Sequence, residues 1–195
     1  MKIILIFSLL ILSLNQSNVQ ADMFLGEFID HKSDVPITSE GALRKPESPT
    51  SNEFVVYGKT GEQDHIGYLS QSNSHEKKSG LIVIHEWWGL NEDIHLMTNQ
   101  LAGLGYTALA VDLYDGQSTT EVREAFQLST NLSKNEASAL ANLKAAYDYL
   151  TKEQGLEKVG IIGWCLGGKW SLRGALMLPE QIDATVIYYG SLVND

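Results

Sequence analysis

Val159-Gly160-Ile161-Ile162-Gly163-Trp164-Cys165-Leu166-Gly167-Gly168 is the stretch whose reading decides the fold. The apolar run from Val159 to Gly163 predicts a short buried strand, and the residues from Leu166 to Met177 predict a helix that ends before Pro179. Between them lies the frame G-x-C-x-G, a sharp strand-to-helix turn with Cys165 at the nucleophile position usually held by Ser. A side chain perched on such a turn needs neighbours without bulk, and Gly163 and Gly167 supply them. The following helix aims its unbonded N–H groups and its positive dipole end at the sulfur. That environment favours the thiolate, which is the nucleophilic form. The opposing reading makes Cys165 a small buried hydrophobe.

Outward from this turn the chain alternates strand and helix. Phe54 to Tyr57 and His65 to Leu69 predict a hairpin with Gly58 and Gly61 between its arms, followed by a polar loop from Ser72 to Ser79. Gly80 to His85 is a continuous apolar run suited to a strand buried on both faces. Asn91 is placed to cap a helix reaching about Leu104, with Ile94, Met97, Leu101 and Leu104 on its apolar face and Gly105 ending it. Tyr106 to Asp112 predicts the next strand, and Thr119 or Thr120 the start of a weaker helix through Phe126 and Leu128. Ser133 with Glu136 predicts a capping box for a long helix carrying Leu140, Leu143, Tyr147 and Leu150, stopped by Gly155. Ala184 to Tyr189 predicts a last strand. Such alternation implies a doubly wound, mostly parallel sheet with helices on both faces.

Composition bounds the partners. The chain has 195 residues, 44% hydrophobic and 19% charged, which suits a globular domain with a substantial core. A net charge of −10 argues against nucleic acid and against an anionic membrane surface. Residues 1–21 read as a signal peptide: Lys2, an apolar run from Ile3 to Leu14, and small residues at Val19 and Ala21. The apolar run is shorter than the roughly 20 residues of a membrane span, so the expectation is export to the periplasm or medium, with no membrane association after cleavage. Residues 22–52 read as an irregular N-terminal arm, and residues 53–195 as the folded domain. The single Cys allows neither an intrachain disulfide nor a Cys-based zinc site, and no cofactor or metal is expected.

Ligands of parallel sheets bind beyond the carboxyl ends of the strands. Three such ends carry unusual residues: His85-Glu86-Trp87-Trp88-Gly89, Asp112-Leu113-Tyr114-Asp115 and Trp164-Cys165-Leu166. Two adjacent Trp on an extended segment face opposite ways, so at least one of Trp87 and Trp88 belongs outside the core. His85 is a candidate base by proximity, against the commoner role of a packed strand-end residue. His31, His65, His75 and His95 are scattered and read as solvated or capping. The His85-Glu86 pair is no zinc helix, because Gly89 stands where the second His would be. Gly163 to Gly168 is no dinucleotide loop, with Cys165 at its second Gly position, and Gly168-Lys169-Trp170 lacks the hydroxyl residue of a phosphate loop.

Together with Tyr188-Tyr189-Gly190, these blocks resemble the dienelactone hydrolase family of the α/β-hydrolase fold over roughly Phe54 to Ser191. The resemblance implies a hydrolase of small-molecule esters or lactones. It places the attacking thiol on Cys165 and the carboxylate that restrains and activates it on Glu86. It implies an oxyanion hole made by the backbone N–H groups of Leu166 and Trp87, each such donor worth about 3 kcal/mol in comparable sites. Trp88, Tyr114 and Trp164 would line the substrate pocket. The family's dienelactone enzymes carry an Arg shortly after the Asp-Leu-Tyr block, where this chain reads Asp115-Gly116-Gln117, so a dienelactone itself is not the expected substrate.

Chain order in this fold is nucleophile, acid, then His. After Cys165 the acids are Glu180, Asp183 and Asp195, with no His. The expectation is therefore a domain lacking the C-terminal strands and helix of the full fold, with little or no hydrolase activity as a 195-residue chain. The alternatives are a non-catalytic α/β domain that binds a small ligand or a partner through its open sheet edge, and a redox-sensitive thiol.

Overall fold

The computed structural model describes residues 32–73 and 79–190. The chain divides into two compact units, Met1–Val35 and Pro36–Asp195, and the sheet lies wholly in the second. The expected signal segment falls outside the described residues.

Strands β1 (Thr50–Thr60) and β2 (Gln63–Ser72) form an antiparallel hairpin. β3 (Gly80–Ile84) leads to α1 (Glu92–Gly103), and β4 (Thr107–Val111) to α2 (Val122–Lys134) and α3 (Glu136–Asp148), with a π-helical turn over Tyr149–Glu153. β5 (Val159–Trp164), α4 (Leu166–Met177) and β6 (Ala184–Tyr188) complete the described elements. The sheet order is β1-β2-β4-β3-β5-β6. β4, β3, β5 and β6 run parallel, and β2 joins β4 antiparallel.

The apolar runs sort by strand periodicity. Ile82, Ile84, Leu109, Val111, Val159 and Ile161 face one way and meet Leu128 and Leu132 of α2, Leu143 and Ala146 of α3, and Trp170 of α4. Val83, Ala108, Ala110 and Ile162 face the other way and meet Ile94 of α1. Residues one apart on a strand point to opposite faces, so these central strands need apolar side chains at every position.

Several boundaries differ from those expected. β1 begins at Thr50, so the last three residues assigned to the arm belong to the hairpin. In the arm itself Ala42 is buried, and Pro46 packs close enough to Gly103 that a Cβ there would collide with it. Asn91 does cap α1, accepting from the Ile94 amide at 3.2 Å. The buried face of α1 is Ile94, Thr98 and Ala102, however, while Leu104 lies exposed. Thr98 reaches this apolar face because its hydroxyl donates to the Ile94 carbonyl at 2.6 Å, which removes the cost of burying it. Thr119 sits three residues ahead of α2 and accepts from the Glu121 amide at 3.0 Å.

The capping box at Ser133 and Glu136 does not form. Ser133 lies inside α2, and the helices break at Asn135 (φ −111°, ψ 40°), whose side chain caps no amide of α3 and instead donates to the Asn131 carbonyl at 2.9 Å. The two expected helices are both present, thirteen residues each, but the first runs on to Lys134 and the second starts only at Glu136. Tertiary packing of Leu128 and Leu132 on the core outweighs the local capping preference. Gly155, at φ +68°, ends the π-helical turn where β-carbon sterics would resist any other residue.

Candidate active site

The register sets three strand ends side by side. Ile84 of β3 pairs with Val111 of β4 on one side and Gly163 of β5 on the other. His85 and Asp112 leave the sheet there, while β5 runs one residue further, with Trp164 paired to Tyr188 of β6, before Cys165 turns away. β3 is also where the winding reverses, since the chain steps to β4 on one side and later returns to β5 on the other. Crevices at such reversals are where open sheets bind ligands.

Cys165 stands at this edge with φ 52° and ψ −117°. A non-Gly residue there is strained, and strain of this kind persists only where the surroundings hold it. The holding groups are visible. A Cβ on Gly163 would overlap the Gly167 backbone, and a Cβ on Gly167 would overlap the carbonyls of Ile84 and His85. The Cys165 amide donates to the Tyr188 carbonyl at 3.0 Å, tying the turn to β6. The first intrahelical bond of α4 runs from the Lys169 amide to the Cys165 carbonyl at 3.3 Å. The amides of Leu166, Gly167 and Gly168 precede that bond, so they are the helix-end donors aimed toward the turn. Cys165 as a residue is half-buried.

Glu86 is held beside this turn by a residue far away in sequence. The Tyr189 hydroxyl donates to Glu86 Oε1 at 2.7 Å. Tyr189 follows β6 with φ 40°, and Gly190 beyond it packs so tightly on Gly168 and Lys169 that it has no room for a Cβ. Desolvation and the adjacent Glu86 carboxylate, with Cys165 as a further negative neighbour, hold the Tyr189 phenol well above its usual range. Tyr189 therefore stays protonated and acts as a donor.

His85 is not placed to act as a base. It is fully buried, and both ring nitrogens are engaged. Nε2 accepts from the Leu113 amide at 3.2 Å, so Nδ1 carries the proton and donates to the Glu86 carbonyl at 2.6 Å. Burial holds the imidazole below its ordinary value, and therefore neutral. Its role is to join the β3 and β4 loops.

The expected pocket residues are distributed by depth. Trp88 and Tyr114 are each 4% exposed, whereas Trp87 and Trp164 are half-buried. Trp87 and Trp88 meet edge to face at 4.9 Å, and Trp164 stacks on Tyr188 with rings 7° apart. Asp112 shapes the Tyr114 loop: its carboxylate accepts from the amides of Tyr114 at 2.7 Å and Gly116 at 2.5 Å. Gly116 takes the left-handed conformation (φ 86°) that closes this turn. Asp183 binds the Val159 amide at 2.9 Å, at the opposite end of the sheet from Cys165.

Sequence reasoning missed two residues here. Tyr189 enters the sequence reading only within the Tyr188-Tyr189-Gly190 block, since its contact with Glu86 spans 103 positions. Asn142 is a buried polar residue on α3 whose amide donates to the Asp112 carbonyl at 2.9 Å and whose Oδ1 accepts from the Tyr57 hydroxyl at 2.6 Å. An Asn on the same helical face as Ala139 and Ala146 was the available signal. Among the described residues no cluster of His, Cys, Asp and Glu is arranged to hold a metal ion.

A mostly parallel sheet with a strained residue on a strand-to-helix elbow defines the α/β-hydrolase class. Residues 55–195 match the dienelactone hydrolase family, and the chain belongs to that family. It is 37% identical over 117 residues to Protein usf of Aquifex pyrophilus, an alignment covering 57% of this chain and 51% of that one. It is 27% identical over 143 residues to a carboxymethylenebutenolidase homolog of Xenopus tropicalis, covering 70% of this chain and 57% of that one. The chain spans about half the length of the curated relatives it matches. Among solved structures, a dienelactone hydrolase-like promiscuous phosphotriesterase from metagenomic libraries superposes with a TM-score of 0.66 at 24% identity, over 75% of this chain and 62% of that one, which shows the shared fold.

Proposed function

We propose that this chain carries the nucleophile half of a hydrolase that opens small-molecule esters or lactones through Cys165. The observation that carries the reading is the strained elbow at Cys165 with the Glu86 carboxylate fixed beside it by Tyr189. The thiolate attacks the substrate carbonyl carbon. The electron pair of the C=O bond moves onto oxygen, and the N–H groups of Leu166 and Trp87 receive that charge. Collapse of the intermediate expels the alkoxide, or opens the ring to one, and leaves a thioester; the alkoxide takes its proton from water, and water then hydrolyses the thioester to the acid and the free thiol. Glu86 restrains and activates the thiol. Trp88 and Tyr114 form the floor of the pocket, and Trp87 and Trp164 its rim. The name of the Xenopus relative supports the ester or lactone class of substrate. No nucleic acid and no cofactor enters the reaction.

With His85 locked between two backbone groups, no described imidazole is available to protonate the leaving alcohol. The 195-residue chain is therefore expected to turn substrate over slowly or not at all. The test is p-nitrophenyl ester hydrolysis by the full open reading frame. Cys165→Ala should abolish turnover above the buffer rate, and unchanged turnover would refute the assignment.

A second reading is favoured by the far edge of the sheet. Every residue of β6 is exposed, with Val186, Ile187 and Tyr188 each 38–48% accessible. An uncovered apolar edge strand is a ready pairing surface. In this reading the domain binds a partner or small ligand without turnover, and Cys165→Ala leaves that binding intact.

A further inference from the structure

We propose that Trp164 and Tyr188 form a stacking platform for an aromatic ring of the substrate, so that the ester or lactone taken by this site bears an aryl group. The proposal rests on Cys165 acting as the nucleophile. It names the class of substrate and adds Tyr188 as a specificity-determining residue.

The first observation is how the platform is tied to the elbow. Trp164 directly precedes Cys165, and the Tyr188 carbonyl accepts from the Cys165 amide at 3.0 Å. Trp164 and Tyr188 are also partners in the β5–β6 register. Both ring-bearing residues are therefore joined to the backbone of the nucleophile, one by a peptide bond and one by a hydrogen bond. A ligand ring seated on them lies at a set place relative to the elbow.

The second observation is the geometry of the pair. The two rings are 7° from parallel with centroids 5.7 Å apart. This is a slipped stack, inside the range of about 4.5–7 Å that aromatic pairs prefer. A slipped pair leaves part of each face uncovered, and a third ring can continue the stack in the same geometry. Trp164 also packs against the core formed by Val83, Ile94 and Ile162. The platform is thus fixed before a ligand arrives, and little freedom is lost on binding.

The third observation is exposure. Tyr188 is 48% exposed, whereas Tyr57, Tyr68 and Tyr114 are exposed by 8% at most. An open aromatic face beside a nucleophile is apolar area that a ligand ring removes from water. A saturated group of equal size gains that area too. Only a planar π-system adds the offset-stacking attraction, so a preference for phenyl over cyclohexyl isolates the platform's own contribution.

The experiment measures alkylation of Cys165 in the purified full chain by iodoacetamide and by its N-phenyl and N-cyclohexyl derivatives, read by intact mass. Each rate is divided by that of N-acetylcysteine with the same probe. The phenyl probe should then react about fivefold faster than the cyclohexyl probe, the size of one aromatic stack. Tyr188→Leu should bring that ratio to about one. Equal normalised rates in the parent overturn the proposal, and so does an unchanged ratio in Tyr188→Leu. The parent comparison needs no variant, so it decides the matter even where Tyr188→Leu does not fold. Both probes meet the same sulfur, so their ratio is independent of how reactive Cys165 is. A sulfur no faster than N-acetylcysteine with plain iodoacetamide would instead count against the nucleophile, and the ratio would still be read.

Discussion

At Gly167 a methyl group would enter the carbonyls of Ile84 and His85, which are backbone atoms of the central strand. Backbone cannot move aside as a flexible side chain can, so Gly167→Ala must open the β3–α4 packing. We expect a loss of about 3 kcal/mol, the upper end for overpacking, read as a drop in the urea midpoint at unchanged slope. A wild-type midpoint would show that the elbow relaxes freely. The same scale governs the buried imidazoles. Burial lowers the pKa of both His65 and His85 in the fold. The unfolded chain then takes up protons first as pH falls through the usual His value of about 6.5. Their contribution to stability is therefore complete above that pH and declines below it. The Tm should fall between about pH 7 and 5.5, and His65→Gln with His85→Gln should flatten that slope. A parent profile as flat as that of the double variant would refute the linkage.

At the scale of elements, Asn142 joins α3 to three strands of the sheet. One side-chain amide serves Tyr57 on β1, the Asp112 carbonyl after β4, and His65 Nδ1 on β2 at 3.2 Å. His65 continues the network to Thr60 at 2.8 Å. The three partners of Asn142, Tyr57, His65 and Asp112, lie in the interior, where an unmet polar group costs more than the bond it lost. Asn142→Leu should destabilise the domain by about 3 kcal/mol, measured by thermal or urea unfolding. A change below about 1 kcal/mol would mean that the partners find other bonds. Gly58 shows the same packing from the other side, since a Cβ there would meet Ala145 of α3. The break between α2 and α3 at Asn135 belongs to this level too. Capping preference at Ser133 is worth about 1 kcal/mol, less than the burial of Leu128 and Leu132 that the observed α2 achieves.

At the scale of the whole molecule, no described helix is long and apolar enough to cross a membrane. We propose that residues 1–21 direct export and are removed, so that N-terminal sequencing of the secreted or periplasmic protein should begin at Asp22; a retained Met1 would refute this. The net charge of −10 argues against a polyanion as ligand.

The strand-helix alternation, the G-x-C-x-G elbow and the Asn91 cap were legible in the sequence, because each follows from periodicity or from local backbone sterics within about ten residues. These are properties that neighbouring residues impose on one another before any long-range contact forms. What only the tertiary structure decided are contacts between residues distant in the chain. His85 is taken out of acid-base work by Leu113, Glu86 is held by Tyr189, and the buried face of α1 is set by what packs on it. No period or motif encodes such pairings, since they depend on which strands lie side by side once the chain has closed around its core.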